Sequence, residues 1–339
     1  MDPSIERLLL SDRELRLGTA ADLAARARAL LEQQKENWPL LRQGYDDRTK
    51  VQTRTIELEN FSVRVQFNPA RITSSAASVD EESIRNRPCF LCAENLPLGQ
   101  RGILYGSSFL VLCNPFPIFR EHYTICHTTH TGQRIEPSFG AMLDLSRAAQ
   151  SRYLLLYNGP RSGASAPDHL HFQAGEKGFL PIEEDLRREA KGSRVMCETP
   201  ELLVQSVDDG LRRFVVLESS ERSAVLAAFR ALVSSCASLG SEKEEPMMNL
   251  LASFDSNTWR VVVFLRARHR PSFYFAPGEE KILLSPAAVD CGGVLITPLE
   301  KDYRGLGADQ VRTMFSEVFI TPEAFSALCD RLGRDLTRQ

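Results

Sequence analysis

The chain has 339 residues, which is enough for two ordinary domains or one large one. Its composition, with 43% hydrophobic residues, 25% charged residues and a formal net charge of −3, is typical of a soluble globular protein and gives no electrostatic reason to expect a nucleic-acid partner. No apolar run approaches the roughly 18 residues that span a bilayer, and the first residues lack a signal-peptide pattern, so we expect a cytoplasmic protein with no membrane partner.

Helical and strand periodicities alternate through the first half of the chain. Residues 20–43 carry apolar residues at helical spacing and predict an amphipathic helix that ends near Gly44. Two segments then alternate apolar and polar residues and predict a strand pair with a turn at 59–60, and the polar stretch 73–86 predicts a loop or mobile segment. The ranges are 53–59 and 61–67 for the strand pair, 108–113, 122–126 and 153–157 for further strands, and 135–150 for a helix.

The second half repeats this pattern without the same polar residues. Predicted here are strands at 214–217, 248–251 and 260–265, a helix at 220–238 closed by Gly240, and final helices at about 307–318 and 322–335. Two apolar segments, 282–286 and 294–298, resemble the earlier pair 112–115 and 123–126 in sequence and spacing, which indicates a degenerate internal repeat. The predicted division is an N-terminal arm at 1–84, a catalytic lobe at 85–190 and a second lobe at 191–339.

One stretch, residues 158–173, concentrates the polar chemistry. A loop rich in Gly, Ser and Pro leads into His169-x-His171-x-Gln173, and because successive strand side chains point to opposite faces, these three residues share one face. The small residues of the loop let backbone N–H and hydroxyl groups approach an anion closely. The pattern predicts a nucleophile beside a phosphate-binding loop. The alternative is a pair of surface histidines on an edge strand.

Cysteine spacing separates one pair from the other cysteines. Most of the eight cysteines are isolated in apolar contexts and indicate reduced core thiols rather than a disulfide framework. Cys89 and Cys92 form a Cys-x-x-Cys, which supplies two ligands of a tetrahedral zinc site, and His130 and His169 are our candidates for the other two. Free thiols are one alternative. A redox pair is another, although the residues after Cys92 do not resemble a thioredoxin-type helix.

A neutral imidazole is a good nucleophile toward phosphorus near pH 7, because its ordinary pKa near 6.5 leaves it unprotonated. Attack on a nucleotide's α-phosphate would give a covalent phosphoramidate, which a second acceptor other than water can then cleave. Donors for the developing charge are the amide of Gln173, the hydroxyls of Ser162 and Ser165, and backbone N–H groups near Gly163. Arg161 and Lys177 are candidates for the outer phosphate, or else solvated surface charges.

These residues carry a resemblance to the histidine triad (HIT) superfamily. The matching positions are residues 110–115, His122-x-Thr124-Ile125, His130, Asn158-Gly159, Ser162-Gly163-x-Ser165 and His169-x-His171-x-Gln173. More narrowly, they are similar to the transferase branch, in which Gln stands where the hydrolases have a third His. That branch holds galactose-1-phosphate uridylyltransferase, diadenosine tetraphosphate phosphorylase and the GDP-hexose phosphorylases. The match covers about residues 85–180. It implies an α+β fold of HIT-like antiparallel sheets with helices, in two pseudo-repeated lobes.

The resemblance also implies roles for individual residues. His171, at the middle position of the motif, would be the nucleophile, and Asn114 would line the nucleoside pocket. His122 lies at a family position near the active site, and His127 has no counterpart. The remaining implied roles are zinc ligation by Cys89, Cys92, His130 and His169, and binding of the α-phosphate or orientation of the nucleophile by Asn158, Ser165 and Gln173.

The implied function is nucleotidyl transfer of the phosphorylase type. A dinucleoside polyphosphate or nucleotide sugar would be attacked at its α-phosphate, and phosphate or a sugar phosphate would accept the nucleotidyl group from the histidine. Zinc would be structural, magnesium could act through the substrate's phosphates, and related folds commonly pair, which allows a homodimer. Phe172 stands where uridylyltransferases often have a small residue, and segments 248–268 and 295–297 look more like diadenosine polyphosphate phosphorylases. A HIT-type hydrolase and a catalytically silent nucleotide-binding module are the alternatives.

Overall fold

The structure is a computed structural model that describes residues 2–18, 21–76, 80–188, 191–237 and 244–337. The strands are β1 Gln52–Glu57, β2 Ser62–Phe67, β3 Gly102–Tyr105, β4 Phe109–Cys113, β5 His122–His127, β6 Tyr153–Asn158, β7 His171–Glu176, β8 Ser193–Glu198, β9 Leu203–Asp208, β10 Arg213–Ser219, β11 Met248–Asp255, β12 Thr258–Leu265 and β13 Val294–Thr297. The helices are α1 Pro3–Glu6, α2 Leu23–Asn37, α3 Pro39–Arg48, α4 Ile72–Ser75, α5 Glu81–Arg85, α6 Phe139–Ala148, α7 Pro181–Arg187, α8 Arg222–Ala237, α9 Ala288–Cys291, α10 Glu300–Gly305, α11 Ala308–Val318 and α12 Pro322–Leu336.

A ten-stranded antiparallel sheet organises the chain, in the order β3-β4-β5-β7-β6-β11-β12-β10-β9-β8. Read inward from either edge, its two halves have the same strand order, and they meet where β6 pairs with β11, with Leu156 opposite Leu251. Helix α6 connects β5 to β6 in the first half, and α8 connects β10 to β11 in the second. The structure therefore confirms the α+β fold with antiparallel sheets, and the two halves of the sheet follow one plan.

The counterpart of the β4–β5 pair differs from the one predicted. Residues 282–286 form no strand, and β13 pairs in parallel with β2 in a separate three-stranded sheet, in the order β1-β2-β13. In the repeated plan, the β9–β10 hairpin takes the position of β4–β5. The predicted strand pair 53–67 is confirmed as β1–β2, and through β13 it is joined to the last part of the chain.

Three further features predicted from the sequence pattern differ from those in the structure. The helix predicted at 20–43 is broken where Trp38 is extended and Pro39 starts α3, because proline cannot donate to the preceding turn. Helix α3 continues through Gly44, where a Cβ would lie 1.9 Å from the carbonyl oxygen of Pro115, so glycine permits close packing rather than ending the helix. The loop predicted at 73–86 contains the end of α4 and all of α5, and residues 77–79 lie outside the described residues. Gly240, predicted to close the helix at 220–238, also lies outside them.

The two faces of the large sheet carry different side chains. Helices α2, α6, α8 and α12 contribute to an apolar core on one face, which includes Phe172 and Ala174 of β7. On the other face of the second half, the small sheet and α11 pack against apolar residues such as Val216 and Phe264. In the first half, that same face carries the polar His171 and Gln173 instead. No helix in the described part of the chain is both long and apolar enough to cross a membrane.

Candidate active site

A cleft of about 660 Å³, open to solvent, lies against the polar face of the first half of the sheet. One wall comes from the predicted loop and strand, and the opposite wall comes from the second half of the chain. The first wall includes Asn158, Gly163, Ala164, Ser165 and Gln173, and the second includes His269, Arg270, Ser285, Ala287 and Asp290. Arg71 and Ser75, at the ends of the segment that contains α4, also line the cleft. The site is therefore shared by distant parts of the sequence.

His171 is the first residue of β7 and is 4% exposed. Its Nδ1 lies 2.8 Å from the carbonyl oxygen of His169, and because a carbonyl only accepts, Nδ1 carries the proton and Nε2 keeps its lone pair. Burial lowers the pKa of His171 to about 4, an effect that the bond to the His169 carbonyl opposes. The side chain is thus a neutral imidazole with a defined tautomer.

Gln133, which the sequence analysis did not identify, holds the start of β7 in place. Its Oε1 accepts a 2.8 Å bond from the backbone N–H of His171, and its Nε2 donates to the carbonyl oxygens of Asn158 and His171 at 2.9 and 3.0 Å. The side chain is 2% exposed, so all three bonds are shielded from water. A single amide therefore links the ends of β6 and β7, the two strands that present the loop and the histidine.

The amide of Gln173 is oriented by His122, whose role the sequence left open. The backbone N–H of Ile118 donates to Nδ1 of His122 at 3.2 Å, so Nε2 carries the proton and donates to Oε1 of Gln173 at 2.9 Å. Burial lowers the pKa of His122 to about 3, and the charge of Arg71 lowers it further, so the ring stays neutral. With its oxygen engaged in this way, the amide nitrogen of Gln173 is the group available to the cleft.

A buried polar chain fixes the loop after β6 to the second half. Oδ1 of Asn158 accepts 2.8 Å bonds from Nδ2 of Asn249 and from the backbone N–H of Ala288. Asn249 in turn accepts a 2.6 Å bond from the guanidinium of Arg266, which is 4% exposed. Gly163 has φ +97°, and a Cβ there would lie 2.8 Å from Cβ of Ala287. The loop therefore approaches the opposite wall at a position that only glycine fits without strain.

The four predicted metal ligands lie together beside this site. Their ligating atoms, from Cys89, Cys92, His130 and His169, all lie within 4.8 Å of one another. Sγ of Cys89 is 3.3 Å from Nδ1 of His169, and Sγ of Cys92 is 3.2 Å from Nδ1 of His130. These separations are close to the edges, roughly 3.3 to 3.8 Å, of a tetrahedron of sulfur and nitrogen ligands around zinc.

The tautomer of His169 suits a metal ligand. Its Nε2 lies 2.8 Å from the carbonyl oxygen of His127, so Nε2 carries the proton and Nδ1 is free to ligate. His169 precedes β7 rather than lying on it, so its ring belongs to this group and not to the face of His171 and Gln173. The group could hold a metal ion.

Several predicted phosphate ligands lie outside the cleft lining. Arg161 pairs with Glu244 at 2.7 Å, and Lys177 pairs with Asp255 at 2.7 Å beside a different surface depression. The Ser162 hydroxyl is buried with no hydrogen-bond partner among the described residues. Asn114 uses its side chain on the backbone N–H of Phe116 and on the Thr124 hydroxyl. The structure thus brings Asn158, Gly163, Ser165 and Gln173 to the cleft, but not these four.

Two arginines and a histidine that line the cleft were missed by sequence reasoning, and burial lowers the pKa of that histidine, His269, to about 3, so its ring is neutral. Arg71 lies in a segment predicted only as the approach to a loop, and His269 and Arg270 lie in the second half. One feature of the sequence could have indicated His269 and Arg270. Arg266, Arg268, His269 and Arg270 follow directly on the buried strand β12, and a dense run of basic residues at the end of a core strand is unusual for a purely structural turn.

Comparisons with family models cover most of the chain in two parts. Residues 30–176 match a model described as a domain of unknown function, DUF4922, and residues 190–337 match a model described as the GDPGP1-like C-terminal domain. None of the curated proteins compared with the chain matches its sequence.

Solved structures share the fold. Yeast Ap4A phosphorylase Apa2 in complex with AMP aligns with 86% of this chain and 96% of its own, at 17% identity and a TM-score of 0.54. The same enzyme in complex with Ap4A aligns with 83% of this chain and 97% of its own, at 18% identity and the same TM-score. The shared fold and the match of residues 190–337 to the GDPGP1-like C-terminal domain support the resemblance to the HIT-like nucleotidyltransferases seen in the motifs.

Proposed function

We propose that this protein is a nucleotidyltransferase of the phosphorylase type. The observation that carries the proposal is the hydrogen bond from Nδ1 of His171 to the His169 carbonyl, since it leaves Nε2 as a nucleophile on the face that carries Gln173. The substrate class is a dinucleoside polyphosphate or a nucleotide sugar, and the acceptor is phosphate or a sugar phosphate. Ap4A phosphorylase, which shares the fold, has been crystallised with AMP and with Ap4A, in agreement with a nucleotide substrate.

In the first step, the Nε2 lone pair of His171 forms a bond to the α-phosphorus. The bond from that phosphorus to the bridging oxygen breaks, and the leaving group departs with the electron pair. The imidazole becomes cationic, and its Nδ1–H remains bonded to the His169 carbonyl, which stabilises the positive charge. The chain needs no separate base for this step because Nε2 carries no proton to remove.

Two groups on the first wall suit the negative charge that develops on the α-phosphate. Gln173 offers its amide nitrogen because His122 engages its oxygen. The loop at Gly163 and Ser165 lines the same wall and brings backbone N–H groups close to the cleft. The donors are held in place before substrate arrives, since the loop is fixed through Asn158 and the amide through His122.

Cys89, Cys92, His130 and His169 would hold a structural zinc ion. Two thiolates and two imidazoles are a donor set that zinc prefers, and the bond from His169 to the His127 carbonyl leaves the correct nitrogen for ligation. Bound zinc would supply a rigid cross-link rather than a reacting group. Its effect on His171 would pass through the backbone of His169.

Intact-protein mass spectrometry tests the proposal. Wild-type protein and His171→Ala are incubated, without acceptor, with a panel of Ap4A, GDP-hexose and UDP-hexose. We expect a nucleotidyl mass on the wild type alone, and circular dichroism should show that the variant is folded. Addition of phosphate then separates phosphorolysis, which yields a nucleoside diphosphate, from hydrolysis, which yields a monophosphate. A folded His171→Ala protein that still gains the mass would exclude His171 as the nucleophile.

Nucleotide binding with no adduct on either protein would indicate the silent binding module instead. It would also exclude the double displacement for every substrate in the panel.

A further inference from the structure

The wall of the cleft opposite Gln173 carries one arginine, Arg270, beside His269, whose pKa is lowered to about 3 by burial and by the charges of Arg270 and Arg266, so that the imidazole is neutral. Nε of Arg270 donates a 2.9 Å bond to the Ser285 hydroxyl, and that hydroxyl lies 3.4 Å from Nε2 of His269. The Arg270 guanidinium also lies over the ring of Tyr274, 4.2 Å from its centroid. The Tyr274 hydroxyl donates to the carbonyl of Ser75, across the cleft. These contacts hold the arginine in place on a stacked aromatic surface.

Arg71 contributes a second cation from the α4 side. It donates a 3.1 Å bond to the carbonyl oxygen of Phe116, and within the described ranges no carboxylate forms an ion pair with it. Burial lowers the pKa of Arg71 to about 10, and Asp290 partly offsets this effect. A guanidinium that is drawn out of water, with a carbonyl as its hydrogen-bond partner among the described residues, is stabilised by an added anion.

Among the described residues that line the cleft, Asp290 supplies the one carboxylate, and its oxygens are engaged within its own turn. Asp290 accepts bonds of 2.9 and 3.0 Å from the backbone N–H groups of Ala287 and Ile296, which ties its oxygens to its own turn. Beneath the wall, the buried Arg266 donates to the carbonyl oxygens of Arg268 and His269 at 3.0 and 2.9 Å. The segment that carries His269 and Arg270 is therefore anchored rather than loose.

We propose that Arg71, His269, Arg270 and Ser285 form the site for the outer phosphate, occupied first by the leaving group and then by inorganic phosphate as acceptor. This proposal rests on the proposed function, which sets the order in which the leaving group and the acceptor occupy the site. Gln173 and the Gly163 loop meet the α-phosphate on one wall, so the next phosphate must face the other. In-line transfer at phosphorus requires the acceptor to enter opposite Nε2 of His171, which is the position that the leaving group vacates.

In the second step, inorganic phosphate takes the nucleotidyl group from His171. An oxygen of hydrogen phosphate forms a bond to the α-phosphorus while the bond from phosphorus to Nε2 breaks. The electron pair of that bond returns to Nε2, which restores the neutral imidazole of His171. The product is a nucleoside diphosphate whose terminal phosphate came from the acceptor. Water entering the same position would give a monophosphate, so Arg71 and Arg270 favour phosphorolysis by binding phosphate there.

Binding of inorganic phosphate alone tests the site without reference to catalysis. Isothermal titration calorimetry compares the wild type with Arg71→Gln, Arg270→Gln and the matched control Arg312→Gln, whose arginine pairs with Asp309 on the surface of α11. We expect each cleft variant to weaken phosphate binding by about tenfold or more, and the control to match the wild type. Ser285→Ala replaces Arg270→Gln if the latter unfolds, with an expected loss of about threefold.

The second readout is discharge of preformed nucleotidyl-enzyme at fixed phosphate. In the cleft variants the ratio of diphosphate to monophosphate product should fall by about tenfold, with the rate of discharge by water unchanged. Phosphate binding that is absent in the wild type, or equal in the wild type and the cleft variants, would overturn the proposal. If no adduct forms on His171 but phosphate binds as expected, the site stands and the proposed function fails.

Discussion

Nδ1 of His171 donates a hydrogen bond of 2.8 Å to the backbone carbonyl of His169. The ring of the same His169 lies among the four side chains that could hold a metal ion, and it donates through Nε2 to the carbonyl of His127. His169 therefore links two groups: its ring belongs to the candidate metal group, and its carbonyl accepts the hydrogen bond from His171, the proposed nucleophile. A change in the metal group should move that carbonyl, and with it the imidazole that it orients.

Removal of a thiolate ligand tests this connection. We expect the wild type to contain one equivalent of zinc by inductively coupled plasma mass spectrometry, and Cys89→Ser and Cys92→Ser to contain little. Because the ion would cross-link the segment of Cys89 to that of His169, the midpoint of thermal unfolding should fall by about 5 °C or more. Adduct formation at His171 should slow as well. Cys197→Ser, on the distant β8, is the matched control, and equal zinc content in all variants would contradict the assignment.

Replacement of His122 distinguishes its role in orienting the Gln173 amide from its role in filling space in the core. His122→Phe keeps an aromatic ring but loses the bonds to Gln173 and Ile118, so the rate of adduct formation should fall about 10- to 100-fold at saturating substrate. The KM should change little, because Gln173 acts mainly on charge that develops in the transition state. His122→Gln, whose amide nitrogen can replace Nε2–H, should recover part of the rate. A His122→Phe enzyme with wild-type rate would show that the hydrogen bond has no such role.

Two glycines offer a matched comparison of backbone strain. Gly163→Ala places a Cβ 2.8 Å from Ala287 at a positive φ, so the free energy of unfolding should fall by about 1–3 kcal/mol. The two walls of the cleft should also separate, lowering kcat/KM. Gly132→Ala adds a Cβ with nothing within 4 Å, and its effect should stay within about 0.5 kcal/mol. Urea unfolding of both variants measures the difference, and equal stabilities would rule out the close approach.

Glu245 predicts a pH-dependent contribution to stability. Burial raises its pKa from 4.5 to about 7, while its carboxyl group accepts bonds from the Tyr157 hydroxyl and the backbone N–H of Ile135. Because the folded state binds this proton more tightly than the unfolded state, the stabilisation is fully present below pH 4.5 and is lost as the pH rises through 7. The free energy of unfolding of wild type minus that of Glu245→Gln should therefore decrease from pH 5 to pH 8. A difference that does not change with pH would contradict the raised pKa.

Local sequence patterns predicted the parts of the site that depend on neighbours in the chain. Strand alternation placed His171 and Gln173 on one face of β7, and the short spacing of Cys89 and Cys92 predicted two ligands of one group. The break at Pro39 was not predicted, although proline ends the preceding helix for a local reason. In each case the controlling interaction lies within a few residues.

The other residues of the cleft are set by tertiary contacts between distant parts of the chain. Arg161 and Lys177 are near the motif in sequence, yet each pairs with an acidic residue about 80 positions away. The cleft instead is lined by Arg71 and Arg270, which are far from the motif in sequence and lie beside it only in the folded chain. Gln133 has no distinctive context in the sequence, and its importance follows from the two strand ends that it bridges.

The seam between β6 and β11 has a consequence for any attempt to divide the chain. Four residue pairs, from Asn158 with Asn249 to Leu155 with Ala252, join the two halves there. A fragment cut between the halves would expose β6 or β11 as an uncapped edge, with rows of unpaired N–H and C=O groups along largely apolar strands. Such fragments would pair with one another and precipitate. Each half therefore covers the exposed strand edge of the other, and we expect the chain to fold as one unit.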